Sequence, residues 1–173
     1  MLLKNLIKNL PEDKKKIIVK GISTNSKEIK NGYIFFAIKG HNSNGEKFIK
    51  QAIERGASAI VCSSDYKYKN KKVLIIKRKN IRNFISDVSS KFYKLKPKNI
   101  IAVTGTNGKT SVADLFYQIL SLNNISVASI GTLGIKYKNK ILKTNLTSPD
   151  TVSIHKYLQI IKKNKIDNVI IEA

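Results

Sequence analysis

The sequence has a single cysteine, Cys62, and no tryptophan. One cysteine excludes an internal disulfide and is typical of a reducing compartment, so we expect a cytoplasmic protein. The first residues lack the continuous apolar stretch and the small-residue cleavage site of a signal peptide. No apolar run approaches the ~20 residues that a membrane-spanning helix needs, so no membrane span is expected.

Arginine is also scarce, since it occurs only at Arg55, Arg78 and Arg82 although the net charge is +22. A charge of this size raises the possibility of a basic nucleic-acid-binding module, which a steep dependence of binding on salt would reveal. However, the lysines are scattered along the chain and rise together with Asn and Ile, a pattern that indicates an AT-rich genome. We therefore expect no specific nucleic-acid partner, and nothing in the sequence indicates an oligomer.

Residues 1–96 are predicted to form a small α/β unit. For the helix over residues 46–55, the apolar spacing predicts a buried face of Phe48, Ile49, Ala52 and Ile53. Strands are predicted at 33–38, 58–62 and 73–76, and a second helix begins after Asn80 as its N-cap. Lys96-Pro97-Lys98 ends this helix, which places a domain boundary near residue 96.

Residues 97–173 alternate strand, loop and helix, which predicts an α/β unit with a mostly parallel sheet. Strands are expected from Asn99, at SVASI and at NVIIE, with a hairpin through Asn139-Lys140 and helices at 109–122 and 151–163. The first helix is predicted to bury Val112, Leu115, Phe116, Ile119 and Leu120. Because NVIIE ends the sequence on an acid without a following helix, we expect an incomplete protein.

The stretch IIAVTGTNGKTS, residues 100–111, follows a β-branched strand and opens a helix. Backbone N–H groups and the positive helix end converge there on an anion, and Gly105 and Gly108 allow close approach. A turn that needs glycine only for its geometry is the alternative, but a lysine at a helix N-terminus is unfavourable without an anion. The sequence therefore predicts a nucleotide site with Lys109 near the β- and γ-phosphates and the Thr110 hydroxyl on Mg²⁺. The standard loop has a glycine where this chain has Val103.

The short loop TGTNGKTS resembles the ATP loop of the Mur ligase family, whose members join amino acids to a UDP-linked muramyl precursor of peptidoglycan. Residues 23–61, STNSKEIKNGYIFFAIKGHNSNGEKFIKQAIERGASAIV, resemble the amino-terminal signature of the same family. This chain departs from the signature with Asn25-Ser26-Lys27 in place of Asp-Ser-Arg, with Tyr33 for Asp, and with Asn44 for Asp. Lys27 keeps a charge but loses the bidentate fork.

The combination of GTNGKTS, SIGTLG and LTSPD is most similar to the family members that add the third amino acid to UDP-MurNAc-L-Ala-D-Glu. A member that adds D-alanyl-D-alanine is the alternative, whereas residues 21–62 argue against a folylpolyglutamate ligase. The resemblance implies an amino-terminal UDP-muramyl-binding domain, residues 1–96, and a truncated P-loop-type ATPase domain, residues 97–173.

The resemblance also implies roles for particular residues. Lys109 is expected to be catalytic, and Thr110 and Glu172 are expected to bind Mg²⁺. For Thr147 and Ser148, which match a substrate-contacting pair, a helix start is also possible, with Ser148 as the cap and Pro149 as the first helical residue. The ATP site would comprise Gly105, Thr106, Asn107, Gly108, Lys109, Thr110 and Ser111, and the substrate site Ser26, His41, Asn42, Ser43, Thr147 and Ser148.

The implied reaction is ATP-dependent amide formation. The D-glutamyl side-chain carboxylate attacks the γ-phosphate to give an acyl phosphate, and an amine then displaces phosphate. The incoming amine is expected to be meso-diaminopimelate rather than L-lysine. Since the Ser-Ser-His segment after Glu172, the modified lysine and the carboxy-terminal domain of the family are missing, we expect no turnover by these residues alone.

Overall fold

The protein consists of two compact units, Met1–Phe92 and Tyr93–Ala173, each with its own β-sheet. The structure is a computed structural model that describes residues 1–40, 44–67, 73–138, 140–142 and 149–173. Among the helices in these ranges, none has both the length and the apolar character that crossing a membrane requires. Both units combine helices with parallel strands, as the alternating sequence pattern predicts.

The first unit contains a four-stranded sheet in which every neighbouring pair of strands is parallel. Its two inner strands are nearly continuous apolar runs, as expected where both faces of a parallel sheet are covered. The core includes Phe35, Ile49 and Ile60. In the order of the sheet, the strands are β1 (Gly21–Ser23), β2 (Tyr33–Phe36), β3 (Ala59–Ser63) and β4 (Leu74–Arg78), and the helices are α1 (Ile49–Glu54) and α2 (Ile81–Phe92).

The start of the predicted helix 46–55 differs from the expectation. Residues Gly45–Phe48 form a 3-10 helix, in which the side chain of Asn44 accepts a hydrogen bond of 3.0 Å from the Glu46 N–H. A 3-10 helix turns in about three residues, so Phe48 leaves the apolar face of α1 and is exposed. The prediction for α2 is confirmed, because Asn80 Oδ1 accepts from the Asn83 N–H at 3.0 Å and caps that helix.

The second unit contains a five-stranded sheet with a parallel part and an antiparallel part. Its first three strands in space are parallel, and the last two extend the sheet as antiparallel hairpins. The strand order is β5 (Asn99–Val103), β9 (Asn168–Glu172), β6 (Val127–Gly131), β7 (Gly134–Tyr137) and β8 (Lys140–Leu142), and the helices are α3 (Lys109–Leu122) and α4 (Thr151–Lys163). The last strand in sequence therefore lies inside the sheet.

Helix α3 has the predicted bounds, but the prediction of its buried face is wrong in part. Ala113 is buried, whereas Phe116 and Leu120 are half-buried. Ala113, Phe116 and Leu120 define the face that packs on the sheet. Because α3 also has apolar residues outside this face, apolar spacing alone did not identify the buried face. Four side chains at the spacing of one helix face, which we call the α3 stripe, are exposed: Val112, Leu115, Ile119 and Leu122.

Helix α4 has the predicted bounds, 151–163, whereas the alternative helix start at Ser148 and Pro149 is wrong. Asp150, rather than Ser148, is the N-cap, and Thr151 rather than Pro149 is the first helical residue. The Asp150 carboxylate accepts from the N–H groups of Val152 at 2.9 Å and Ser153 at 3.2 Å. One side chain thus pairs two of the free N–H groups at the helix start, and its negative charge is favoured there.

Candidate functional site

Three features of the second unit meet at the carboxyl edge of its sheet. The glycine loop follows β5, Glu172 ends β9, and the turn at Thr132 follows β6. The register pairs Val103 with Glu172, and the Ala173 N–H donates to the Val103 carbonyl at 2.9 Å. Because the three strands are parallel, their carboxyl ends and the segments that follow lie side by side, where ligands of α/β sheets commonly bind.

The glycine loop ends in a residue with a left-handed backbone. Gly108 has φ 80° and is the N-cap of α3, and no side chain from the described residues caps this helix start. A Cβ at Gly108 would meet no atom within 4 Å, so backbone conformation rather than space requires glycine here. The uncapped N–H groups at the first turn of α3 are therefore available to an anion.

Lys109 folds back over the loop that precedes it. Its Nζ donates a hydrogen bond of 2.5 Å to the Gly105 carbonyl. This contact joins the first residue of α3 to the start of the glycine loop. From this position the ammonium group can form charge-assisted hydrogen bonds with a phosphate chain that binds in the loop.

Glu172 is the most buried charged group of this edge, with 3% of its surface exposed. Its Oε2 accepts from the Thr110 hydroxyl at 3.0 Å and from the Thr132 hydroxyl at 2.9 Å, and its Oε1 accepts from the Thr132 N–H at 3.2 Å. None of the ion pairs between described residues includes Glu172. A buried carboxylate held by neutral donors alone favours the approach of a cation.

Space for this carboxylate depends on Gly131. A Cβ at Gly131 would lie 2.1 Å from Oε1 and 2.3 Å from Cδ of Glu172. Any side chain at this position would therefore displace the carboxylate from its place between the two threonines.

The oxygen donors around Glu172 suit a hard divalent cation such as Mg²⁺. Thr110 and Glu172 supply a hydroxyl and a carboxylate, and Mg²⁺ commonly takes its remaining ligands from water and phosphate. In the part of the chain that the structure describes, no group of three His, Cys, Asp or Glu residues is placed to hold a metal.

An ion pair ties the helix that carries Thr110 to the hairpin beside it. Lys136 on β7 donates to Asp114 Oδ1 at 2.5 Å, and Gln118 donates to Oδ2 at 2.6 Å. The hydrogen bond from Lys136 lowers the pKa of Asp114 below its usual range. This contact lies one turn after Thr110 and supports the orientation of the first turn of α3.

The predicted substrate residues lie partly within the described residues. Ser26 is in the first unit, is 6% exposed and donates to Gln51 Oε1 at 2.6 Å. Asn25 caps the short helix that contains Ser26, because its side chain accepts from the Lys27 N–H at 3.0 Å. His41, Asn42, Ser43, Thr147 and Ser148 lie outside the described residues.

Sequence reasoning missed Thr132, Gly131 and Gln51 as residues of these sites. The available signal was the SIGTLG stretch, which contains the end of β6 and the turn that follows it. A pattern of strand, glycine and threonine has no fixed chemical meaning until the strand order is known.

Comparison with known families gives two matches. Residues 18–93 match a model described as the Mur ligase family, catalytic domain, and residues 103–173 match the Mur ligase middle domain. The two matched regions correspond closely to the two compact units.

Several curated proteins are similar to most of the chain. It is 38% identical over 163 residues to the UDP-N-acetylmuramoyl-L-alanyl-D-glutamate--2,6-diaminopimelate ligase of Rickettsia conorii, covering 90% of this chain and 33% of that protein. It is 33% identical over 182 residues to 2,6-diaminopimelate ligase 2 of Clostridium acetobutylicum, covering 100% of this chain and 38% of the relative. The chain thus spans about a third of the length of these relatives.

Solved structures show the same fold. A structure of a UDP-N-acetylmuramoyl-L-alanyl-D-glutamate--2,6-diaminopimelate ligase matches all of this chain and 36% of its own, with a TM-score of 0.77 and 23% identity. A MurF ligase from Thermotoga maritima in complex with ADP matches 91% of this chain and 33% of its own, with a TM-score of 0.58 and 22% identity.

Proposed function

The chain belongs to the Mur ligase family, and on this basis we propose that it supplies the UDP-muramyl-binding and ATP-binding units of a peptidoglycan ligase. The proposed reaction is ATP-dependent addition of meso-diaminopimelate to UDP-MurNAc-L-Ala-D-Glu in the cytoplasm. The two curated relatives described above are both named as diaminopimelate ligases, which supports this choice of amino acid.

The observation that carries the proposal is the contact of Thr110 with Glu172. It joins the first turn of α3, which follows the glycine loop, to a buried acid without a cationic partner among the described residues. A phosphate chain in the loop and a divalent cation beside Glu172 would satisfy both groups together. A turn required only for geometry would need neither the acid nor Lys109.

The residues of the loop would act mainly by position and charge. The N–H groups of the first turn of α3 bind phosphate oxygens, and Lys109 moves from the Gly105 carbonyl to neutralise the charge of the β- and γ-phosphates. Thr110 and Glu172 would hold Mg²⁺, which supplies further charge neutralisation at the phosphates. These groups together favour attack of the D-glutamyl carboxylate on the γ-phosphate.

The first unit would hold the UDP end of the substrate. Ser26 is proposed to contact the uridine with its oxygen lone pairs, because its proton is donated to Gln51. His41, Asn42 and Ser43 are proposed to complete the uridine site. Thr147 and Ser148 are proposed to contact the muramyl peptide.

Calorimetric titration of the purified chain with Mg·ATP tests the proposal. Lys109→Ala should weaken binding strongly, since a cation over the phosphates is lost. Lys156→Ala makes the same change of charge on an exposed position of α4 and should bind like the wild type. Equal binding by the wild type and Lys109→Ala, or no binding by the wild type, would refute the nucleotide site.

A parallel titration with UDP-MurNAc-L-Ala-D-Glu tests the first unit. Ser26→Ala should weaken uptake, whereas Ser64→Ala, which alters an exposed serine of the same unit, should not. A wild-type chain that binds ATP but not the muramyl peptide would restrict the proposal to the second unit.

A further inference from the structure

We propose that Thr132 is a positioning residue, which fixes the carboxylate of Glu172 and, through it, the hydroxyl of Thr110 for a divalent cation. The inference rests on the proposed function. It adds Thr132, which is not itself proposed as a metal ligand and acts through Glu172.

Thr132 holds both oxygens of the carboxylate. Its N–H donates to Oε1 at 3.2 Å, and its hydroxyl donates to Oε2 at 2.9 Å. A carboxylate with one donor can still rotate about its terminal torsion, which has a broad energy profile. Two donors from one residue to the two oxygens fix the plane of the group as well as its place.

Gly131, the residue before Thr132, also borders the carboxylate. Gly131 lies so close that even a methyl group there would overlap Oε1. The carboxylate is therefore enclosed by consecutive residues at the end of β6, one of which gives space and the other hydrogen bonds. Glu172 itself belongs to β9, which is paired on both sides and cannot shift easily.

This arrangement also orients Thr110. Because the Thr110 hydroxyl donates its proton to Oε2, the lone pairs of its oxygen are directed away from Glu172. A hydroxyl binds a cation through these lone pairs. If Thr132 released the carboxylate, the Thr110 proton would lose its fixed acceptor, and both oxygen ligands would become less well ordered.

A purely structural role is the competing explanation. Thr132 and Leu133 form the turn between the paired residues Gly131 and Gly134, and in this explanation Thr132 serves only to close the hairpin. That role predicts a loss of stability when Thr132 is changed and no specific effect on the cation. The two explanations therefore differ in what a change of Thr132 does to the ratio of the ATP affinity with metal to the ATP affinity without metal.

Thr132→Val removes the hydroxyl and keeps the shape, and Thr132→Ser keeps the hydroxyl and removes a methyl group. The affinity of the purified chain for ATP is measured with Mn²⁺ and with EDTA, and circular dichroism checks folding. The gain in affinity from Mn²⁺ should fall roughly tenfold or more in Thr132→Val, since outer partners of metal ligands have effects of this size. Thr132→Ser should retain the gain to within about twofold, and metal-free ATP binding should not change in either variant.

An unchanged Mn²⁺ gain in Thr132→Val would overturn the inference and leave the proposed function intact, as would an equal loss in Thr132→Ser. A second measurement needs no nucleotide. Thr110→Val and Thr132→Val should shift the urea midpoint of unfolding non-additively, because both hydroxyls bind the same oxygen. Additive shifts would overturn the inference, while coupling in a chain that binds no ATP would overturn only the proposed function.

Discussion

The hydroxyl of Thr110 donates a hydrogen bond of 3.0 Å to Oε2 of Glu172, and it joins residues that are 62 positions apart in the sequence. The contact connects the helix after the glycine loop with the end of the inner strand β9. The orientation of each side chain therefore depends on the other, and variants of either residue can measure this coupling.

Glu172→Gln should separate binding of metal from binding of nucleotide. The amide keeps an oxygen acceptor for Thr110 but removes the negative charge, so the gain in ATP affinity from Mg²⁺ should fall at least about tenfold. Metal-free ATP should bind as well as or better than to the wild type, because a carboxylate near the phosphates is lost. Titration with and without EDTA measures both effects, with Asp150→Asn, which retains the cap of α4, as the control. Equal losses of affinity in both conditions would contradict this account.

Gly131→Ala should destabilise the second unit through its overlap with Glu172. The added methyl group must displace a buried carboxylate, for which a cost of about 1–3 kcal/mol in the free energy of unfolding is expected. Glu172→Ala removes the atoms that the methyl group meets, so the double variant should regain stability relative to the sum of the single variants. Urea unfolding of all four proteins measures the cycle. If the losses in the free energy of unfolding of the two single variants were additive, the methyl group at position 131 would not be destabilising through Glu172.

The stability of the second unit should depend on pH through His155. Burial lowers the pKa of His155, Lys96 lowers it further, and its Nδ1 has no hydrogen-bond partner among the described residues. Because the folded protein favours neutral His155, the full stability is present above the unfolded pKa of about 6.5 and is lost as the pH falls towards the folded pKa. The free energy of unfolding should therefore decrease between pH 7 and pH 5.

His155→Gln should remove much of this decrease, since glutamine does not titrate. Urea unfolding at intervals of pH between 7 and 5 gives the slope for each protein. An identical slope in the variant would assign the pH dependence to other groups.

The α3 stripe should contribute little to stability and much to association. Leu115→Gln and Ile119→Gln change exposed side chains, so each should alter the free energy of unfolding by no more than about 0.5 kcal/mol. Leu158→Ala, on the buried side of α4, should cost about 2–5 kcal/mol. Sedimentation velocity should show less self-association in the double glutamine variant, because exposed apolar patches promote it. A large loss of stability in that variant would mean that the stripe is packed.

The sequence predicted those parts of the fold that depend on local patterns. The bounds of α3 and the cap of α2 were correct because Gly108 and Asn80 act on adjacent residues. The strand character of NVIIE was also clear, and the structure places Glu172 beside the glycine loop as expected. The metal role of Glu172 stays a prediction.

The parts that the sequence did not predict depend on contacts between distant segments. The buried face of α3 could not be chosen from spacing, because Leu115 and Leu120 are equally apolar and only the position of the sheet distinguishes them. Thr132 was missed for the same reason, since its importance comes from a carboxylate 40 residues away. The sequence offered Ser148 as the cap of α4, but the cap in the structure is Asp150, which accepts from two N–H groups.

The position of β9 has a consequence for how the second unit forms. In the sheet, β9 lies between β5 and β6 and pairs with both of them. Its pairing with β5 brings together residues that are 69 positions apart in the sequence. The edges of β5 and β6 that face β9 stay unpaired until residues 168–172 take their place, and such non-local pairing is slow. The same five residues deliver the acid at the carboxyl edge. Pairing of β9 therefore both closes the sheet and brings Glu172 to its carboxyl edge.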